Sequence, residues 1–256
     1  MTDLSLIPMP SLPTDEELYE PMLERWNDQA MATIDSWPAS VAALSVPTTL
    51  IPIDLDDTMI IYEPSHPRWR EVMDKYAAAI DAVTGWERHF IRLSTRSPKD
   101  AAPDALPITM AGKQAMDWII NSERCMDDMA MAKFAKKPIF IAVREAYTAP
   151  KGGEFRCFAK DGQLIAMSRY IQDDTVIDYG DFDLFGRARD FYEKHLVEHY
   201  DTIVFDLQFG AAVRDVDGRF EEREGPLLVE LNPYGLSHPC LFEGYDEIEN
   251  EGGLRI

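Results

Sequence analysis

The chain has 256 residues, 46% of them hydrophobic, enough for a sizeable core in one large domain or two small ones. A net charge of −21 argues against non-specific binding to nucleic acid or anionic membranes, because phosphate groups attract basic surfaces; a basic protein partner stays open, beside the plain reading of a solvated acidic surface. Cys125, Cys157 and Cys240 suit neither a disulfide framework nor a cysteine zinc site, the N-terminal stretch lacks the basic and apolar regions of a signal peptide, and no apolar run reaches membrane-spanning length, so the expected location is the cytoplasm.

Residues 1–13 are proline-rich and read as an extended arm. Thr14-Asp15-Glu16-Glu17 is a capping box and predicts a helix from there to about Trp37. Thr48–Asp54 reads as a strand. Pro67 suits a first helical position, opening a helix over Arg68–Thr84 that Gly85 stops. Arg88–Leu93 reads as a strand, and the proline-bearing Ser94–Pro107 as a long loop. Helices are expected at Gly112–Asn121 and Glu123–Lys136, then a β-branched strand at Pro138–Glu145. Glu154–Lys160 and Gln163–Tyr170 flank Asp161-Gly162, a strong hairpin signal. An amphipathic helix follows over Phe185–His199, then strands at Thr202–Phe209 and Leu227–Asn232. Helices mixed with antiparallel hairpins predict an α+β fold, and no linker divides the chain.

The last two strands carry Asp206 and Glu230 inside apolar, β-branched runs, with Asn232 close behind. Buried carboxylates are costly without a partner, and a cation is a good one. Two acids and an amide oxygen, on strands joined by the turn-like Asp215-Val216-Asp217-Gly218, form an all-oxygen set of the kind Mg²⁺ prefers. A second group is basic: Arg92, Arg96, Lys99, Arg144, Arg156 and Arg169 each lie on or beside an expected strand. Arginine forks bind phosphate bidentately. Cations that clamp phosphate oxygens and acids that hold the metal together suit a Mg–nucleotide; the bland alternative is that each arginine pairs with one of the many acids.

Three other patterns compete. Asp54-Leu55-Asp56-Asp57-Thr58 after an apolar run matches the D-x-D-x-T signature of haloacid-dehalogenase-type phosphatases, but no set of further motifs accompanies it, and a strand end running into an acidic turn explains it more simply. His195-Leu-Val-Glu198-His199 matches H-x-x-E-H, with two histidines at helical spacing for a metal; a third ligand has to come from the little chain that remains. Gly152-Gly153 is a weak phosphate-loop signal, and there is no G-x-x-x-x-G-K-S/T.

Four blocks resemble the cell division cycle protein 123 family, a divergent branch of the ATP-grasp superfamily, and related phage and bacterial ATP-grasp proteins. Phe90-Ile-Arg-Leu-Ser-Thr-Arg-Ser-Pro-Lys-Asp-Ala101 is similar to F-x-K-L-N-W-S-x-P-K/R-D-A. Thr109-Met-Ala through Asp127-Asp128-Met129 resembles its C-T-T-P-x-D stretch ending in an acidic turn. Val143-Arg144 with Gly153-Glu-Phe-Arg-Cys-Phe158 resembles L-R-x-W and E-F/W-R-C-F-V. Val204-Phe-Asp206 and Val229-Glu-Leu-Asn-Pro-Tyr-Gly235 resemble F-V-x-D-V and L-I-D-F-N-P-F/W-G. Order and spacing agree from about residue 62 to 245.

The resemblance implies an ATP-grasp fold with nucleotide between two α+β subdomains, at about 61–140 and 141–256, behind an N-terminal extension of residues 1–60. It implies ATP and Mg²⁺ as ligands. Arg92 takes the place of a phosphate-contacting lysine, Lys99 lies in the loop over the phosphates, Arg156 contacts phosphate, and Arg96 replaces a family serine. Arg144 leads into the adenine-side hinge, so that Glu145 to Tyr147 edge the base, and Glu154 joins the nucleotide-contacting set. Asp206, Glu230 and Asn232 hold the metal. The expected reaction is ATP-dependent carboxylate–amine (or carboxylate–thiol) ligation through an acyl phosphate, with Arg92, Lys99, Arg156 and Arg169 stabilising the migrating phosphoryl group and acid and amine substrates unidentified. The alternative is an ATP-dependent assembly chaperone without turnover, docking a protein partner such as a translation initiation factor.

Overall fold

The computed structural model describes residues 15–85, 87–102, 106–170, 183–214 and 219–256. Two β-sheets organise them. Strands β1 (Thr48–Ile53), β2 (His89–Leu93), β3 (Ile108–Thr109) and β4 (Ile139–Glu145) form a four-stranded antiparallel sheet in the order β1-β4-β2-β3. Strands β5 (Glu154–Lys160), β6 (Gln163–Arg169), β7 (Ile203–Gln208), β10 (Leu227–Asn232) and β11 (Gly253–Arg255) form a five-stranded sheet in the order β10-β7-β5-β6-β11. Only β11, against β6, is parallel to its neighbour there. A small ribbon, β8 (Ala212–Arg214) with β9 (Phe220–Glu222), lies between β7 and β10 in the chain. The two acid-bearing strands are therefore connected through this ribbon rather than by one turn. The expected turn at 215–218 lies outside the described residues, as do the arm and Thr14 of the capping box.

Strand alternation sorts the apolar residues into separate cores. Ile91 and Leu93 of β2 and Ile139, Ile141 and Val143 of β4 pack on helices α3 (Leu55–Tyr62), α4 (Trp69–Thr84), α5 (Gly112–Asn121) and α6 (Glu123–Ala135). Trp26 of α1 (Asp15–Ala30) joins the same core. Phe155, Cys157, Phe205 and Leu207 of the second sheet pack on α7 (Leu184–His195) and on residues near α2 (Ala39–Ala42). A third, smaller core sets Phe158, Ala166 and Val204 against Phe242 and Ile248, the latter on α8 (Tyr245–Asn250).

Three boundaries differ from the sequence reading. The first helix ends at Ala30, not Trp37: the Thr33 hydroxyl donates to the Ala30 carbonyl and the Trp37 indole to that of Ala32, turning the chain so that Ile34, Trp37 and Val41 pack beneath the second sheet. Asp54-Leu55-Asp56-Asp57 is not a turn but the start of α3, with Asp56 and Asp57 in its first turn, where acids suit the helix dipole. Helix α7 closes at His195, because Leu196 and Val197 both donate to the Tyr192 carbonyl and interrupt the ladder before His199.

Elsewhere the local signals decide the outcome. Asp161 and Gly162 have φ of 52° and 75°, the left-handed pair that a two-residue hairpin loop needs. Gly85, at φ 56°, stops α4. Ser122 separates α5 from α6: its hydroxyl accepts from Cys125 N at 3.2 Å and donates to Asp100 at 2.6 Å. Replacing Ser122 by alanine strips both bonds from a fully buried position. We expect Ser122→Ala to lower unfolding stability by about 1–2 kcal/mol, read from the urea midpoint at unchanged m-value.

Candidate functional site

The alternation that buries Phe155, Cys157, Phe205 and Leu207 turns the intervening residues to the opposite face. There the register aligns Glu230 of β10 with Asp206 of β7, Asp206 with Arg156 of β5, and Arg156 with Ser168 of β6. A polar row thus crosses four adjacent strands. The Arg156 fork donates Nε and Nη2 to the two oxygens of Asp206, both at 2.8 Å, and its Nη1 to the His238 carbonyl at 3.2 Å. Asn232 Nδ2 lies 3.4 Å from Asp206 Oδ2. Asp206 is fully buried.

The first sheet reaches across to the same row. Ile91 and Leu93 face the first core, so Arg92 between them points away from it. Its Nη1 stands 2.7 Å from Glu230 Oε1. Its remaining donors hold the carbonyls of Leu93 and Thr95. Arg144 crosses too, donating to the Val229 carbonyl at 2.9 Å and to the Ser45 hydroxyl at 2.6 Å. Lys99 donates to the Tyr170 hydroxyl at 3.2 Å, and Tyr170 presents its ring to both Lys99 (4.9 Å) and the Arg156 guanidinium (4.8 Å).

These neighbours shift the carboxyls in opposite directions. Burial pushes Glu230 up, but Arg92, Lys99 and Arg156 together outweigh it and bring its pKa to about 2. Burial, then the Asp206 charge, raises Glu154 to about 7, with Lys99 opposing. Burial also opposes the charge on Arg156, and Asp206 more than restores it, leaving its pKa raised. Burial and then Arg92 lower Arg144 to about 10, still charged at neutral pH.

The row forms part of the wall of a cleft of about 880 Å³, whose lining includes Arg156, Glu230, Asn232 and His238 together with Thr95, Arg96, Ser97 and Lys99. Of the expected site residues, the structure gathers Arg92, Lys99, Glu154, Arg156, Asp206, Glu230 and Asn232 into one charge network. Others have different placements. Arg96 lines the cleft but also pairs with the buried Asp128 at 3.2 Å. Arg169 is buried on β6 opposite Phe155 and does not line the cleft. Arg144 spends its guanidinium on Val229 and Ser45. Tyr147 packs beside Val46, Ala211 and Leu227. Glu145 ends β4, its amide bonded to the Pro47 carbonyl.

The competing patterns have structural explanations. Asp54 and Asp57 share Lys75 of α4 at 2.6 and 2.7 Å, while Asp56 pairs with Lys133 of α6 at 2.9 Å. The two acids of D-x-D are thus tied to different helices. His199 lies beyond the end of α7 and meets the Ser40 hydroxyl at 3.1 Å. No cluster of three or more acidic, histidine or cysteine ligands exists among the described residues. At Gly153 an added Cβ would collide with the Gln208 side chain and the Phe209 carbonyl, so close strand packing accounts for that glycine.

The sequence reading missed Tyr170, whose ring covers Lys99 and Arg156; its one signal was an aromatic directly after the strand residue Arg169.

The arrangement, an antiparallel sheet and a mainly antiparallel one beside a polar cleft, is an α+β fold with counterparts among solved structures. The chain is similar to Cdc123 from Schizosaccharomyces pombe, with TM-score 0.62 at 21% identity over 90% of this chain and 96% of that one. A C-terminally truncated form of the same protein gives 0.61 at 19% identity, with the same coverage. The ATP-grasp ligase PsnB complexed with minimal precursor reaches 0.37 at 12% identity over 86% of this chain and 57% of that one, too distant to carry an argument. No family model matches the chain. The likeness to Cdc123 establishes the fold and leaves activity to the site itself. No described helix is long and apolar enough to cross a membrane.

Two outcomes follow from the charge network. Asp206→Asn leaves the buried Arg156 without its counter-charge and should cost about 3–5 kcal/mol of stability in urea titration. Glu154 has a folded pKa raised above its unfolded value, so its contribution is fully present below about pH 4.5 and is lost as pH rises through about 7. Relative to wild type, Glu154→Gln should therefore flatten the fall in stability between pH 4.5 and 7, checked by urea midpoints across that window.

Proposed function

We propose that the chain binds Mg–ATP in this cleft and uses it as an ATP-dependent carboxylate–amine ligase. The observation that carries the proposal is the Arg92–Glu230 and Arg156–Asp206 pairing at the cleft wall, with Lys99 beside it. Cations suited to a triphosphate and carboxylates suited to Mg²⁺ pair here, each neutralising the other. Incoming phosphate oxygens offer Arg92, Arg156 and Lys99 a new counter-charge, and the released carboxylates turn to the metal.

The donor set fits Mg²⁺: Glu230 and Asn232 line the cleft, Asp206 lies directly opposite Glu230, and all three offer hard oxygens. Bound there, the ion would neutralise charge on the phosphate oxygens. The rest is positioning and electrostatics by this chain's side chains. Lys99 and Arg156 hold the γ-phosphoryl group. A substrate carboxylate oxygen attacks its phosphorus, the bond to the β-phosphate oxygen breaks, and ADP leaves. The acyl phosphate is then attacked at its carbonyl carbon by an amine nitrogen; phosphate departs, an amide forms, and the amine proton passes to phosphate or water. No nucleophilic side chain is needed.

A second reading, an assembly chaperone that binds ATP without turning it over, is supported by the likeness to Cdc123 along nine-tenths of the chain and by the role of the family that the sequence resembles. Incubation with ATP, Mg²⁺ and a panel of amino acids separates the two. Sustained phosphate release that depends on an added amine supports the ligase; tight ATP binding without turnover, with a translation factor co-purifying, supports the chaperone.

Glu230→Gln removes a proposed metal ligand and the partner of Arg92, yet keeps the shape. It should weaken Mg-dependent ATP binding by at least about tenfold, the scale of one charge-assisted interaction. Unchanged Mg–ATP affinity in calorimetry would rule out the metal assignment.

A further inference from the structure

One imidazole at the cleft wall takes no part in the ligase scheme. His238 is exposed, lines the cleft, and accepts Arg156 Nη1 at 3.2 Å on its backbone carbonyl. Its ring is fixed locally, because the Cys240 amide lies 3.0 Å from His238 Nδ1. A backbone N–H can only donate, so Nδ1 accepts with its lone pair and the proton of the neutral ring sits on Nε2. Nε2 has no hydrogen-bond partner among the described residues.

The sequence produces this geometry. A proline fixes its own φ and pushes the residue before it to extended backbone, and in Ser237-His238-Pro239 this leaves the ring within reach of the amide that follows the proline. The same Ser-His-Pro triplet recurs at 65–67, and there the Arg68 amide donates to His66 Nδ1 at 3.2 Å. Two separate parts of the chain thus set the same tautomer by the same local bond. Their settings differ. His66 does not line the cleft, whereas His238 does, in a loop tied down on several sides. Ser237 Oγ donates to the Pro233 carbonyl at 2.8 Å, the Tyr245 hydroxyl to the Ser237 carbonyl at 3.0 Å, and the Leu241 amide to Ser168 Oγ at 3.0 Å. Cys240 has φ 61°, an uncommon conformation for a residue with a side chain, which these bonds and its own to Nδ1 hold in place.

We propose that His238 is a further nucleotide-binding residue, a neutral donor whose Nε2–H holds an oxygen of the terminal phosphate of ATP beside Arg156. This rests on the reading of the cleft as a Mg–ATP site. The tautomer excludes the other roles open to a histidine: with the proton on Nε2, that nitrogen has no lone pair to take a proton, attack phosphorus or bind Mg²⁺. What it offers is a directional hydrogen bond that adds no charge to a wall already carrying Arg156 and Lys99. The bond from Arg156 to the His238 carbonyl ties the residue to the guanidinium assigned to the γ-phosphoryl group, so both donors address the same phosphate. ADP lacks that phosphate, and the contact lets the cleft tell ATP from ADP.

The test pairs nuclear magnetic resonance with calorimetry on the full-length protein. Long-range proton–nitrogen spectra report the tautomer of each of the five histidines, with His66→Ala and His238→Ala assigning the two signals in question. We expect the Nε2–H form at both positions. Mg²⁺ with a non-hydrolysable ATP analogue should shift the Nε2 signal of His238, Mg–ADP should leave it in place, and His66 should respond to neither. In calorimetry, His238→Ala should weaken the ATP analogue by about tenfold and leave ADP affinity unchanged. A merely structural role would lower both affinities together. The inference is overturned if the His238 proton is on Nδ1, if ADP shifts the ring as the ATP analogue does, or if His238→Ala weakens both nucleotides equally or neither. A wild-type protein that binds neither nucleotide instead removes the Mg–ATP reading, and this inference with it.

Discussion

The bidentate contact between Arg156 and Asp206, continued through Glu230 to Arg92, is the constraint around which the molecule is arranged. It joins β5, β7 and β10 of one sheet to β2 of the other through buried charge. Buried ion pairs are poor stabilisers: desolvation cancels most of their attraction, and apolar residues of similar volume often do as well. Removing one partner is nevertheless severe, because the survivor is left charged in a dry place. A chain that needed only to hold two sheets together could have extended its apolar cores between them. The polar junction has its natural explanation in a ligand that exchanges with it.

The overall charge sharpens this point. At −21, the chain repels a polyanion at long range, so a nucleotide can be held only where cations are concentrated and water is thin. The cleft meets the first condition, with Arg96, Lys99, Arg124 and Arg156 in its lining and further arginines in the network beside it. Arg92, Arg144 and Arg156 are almost fully buried and come from three strands in two sheets, and Tyr170 covers Lys99 and Arg156 with one ring. The acids beside them limit the cost of keeping such cations close together: Glu230 stays ionised because three cations outweigh its burial. Glu154, near Asp206 and Glu230 with less compensation, is the carboxyl that gives way toward protonation.

The acid-bearing strands and the arginines were legible because they break a rule. Asp206 and Glu230 interrupt apolar alternation, and Arg92 and Arg156 sit where the pattern asks for interior residues. The hairpin at Asp161-Gly162 was legible because left-handed φ values at two positions demand such residues. What failed depended on contacts distant in sequence. Nothing local to Arg96 names Asp128 as its partner, and nothing local to Arg144 names the Val229 carbonyl. Helix α3 was hidden because its first-turn acids look like a turn until Lys75 and Lys133 on neighbouring helices are seen to neutralise them. The early end of the first helix likewise depends on Trp37 finding a core on the second sheet, which no helical propensity reports.

Read from the sequence, Arg96 is a cation where the resembling family has serine. Its pairing with Asp128, a fully buried acid on α6, ties the segment around Arg96 to the helices packed on the first sheet. The cleft itself is mixed in charge, for Glu24 and Asp28 of α1 and Glu230 of β10 line it together with Lys99, Arg124 and Arg156.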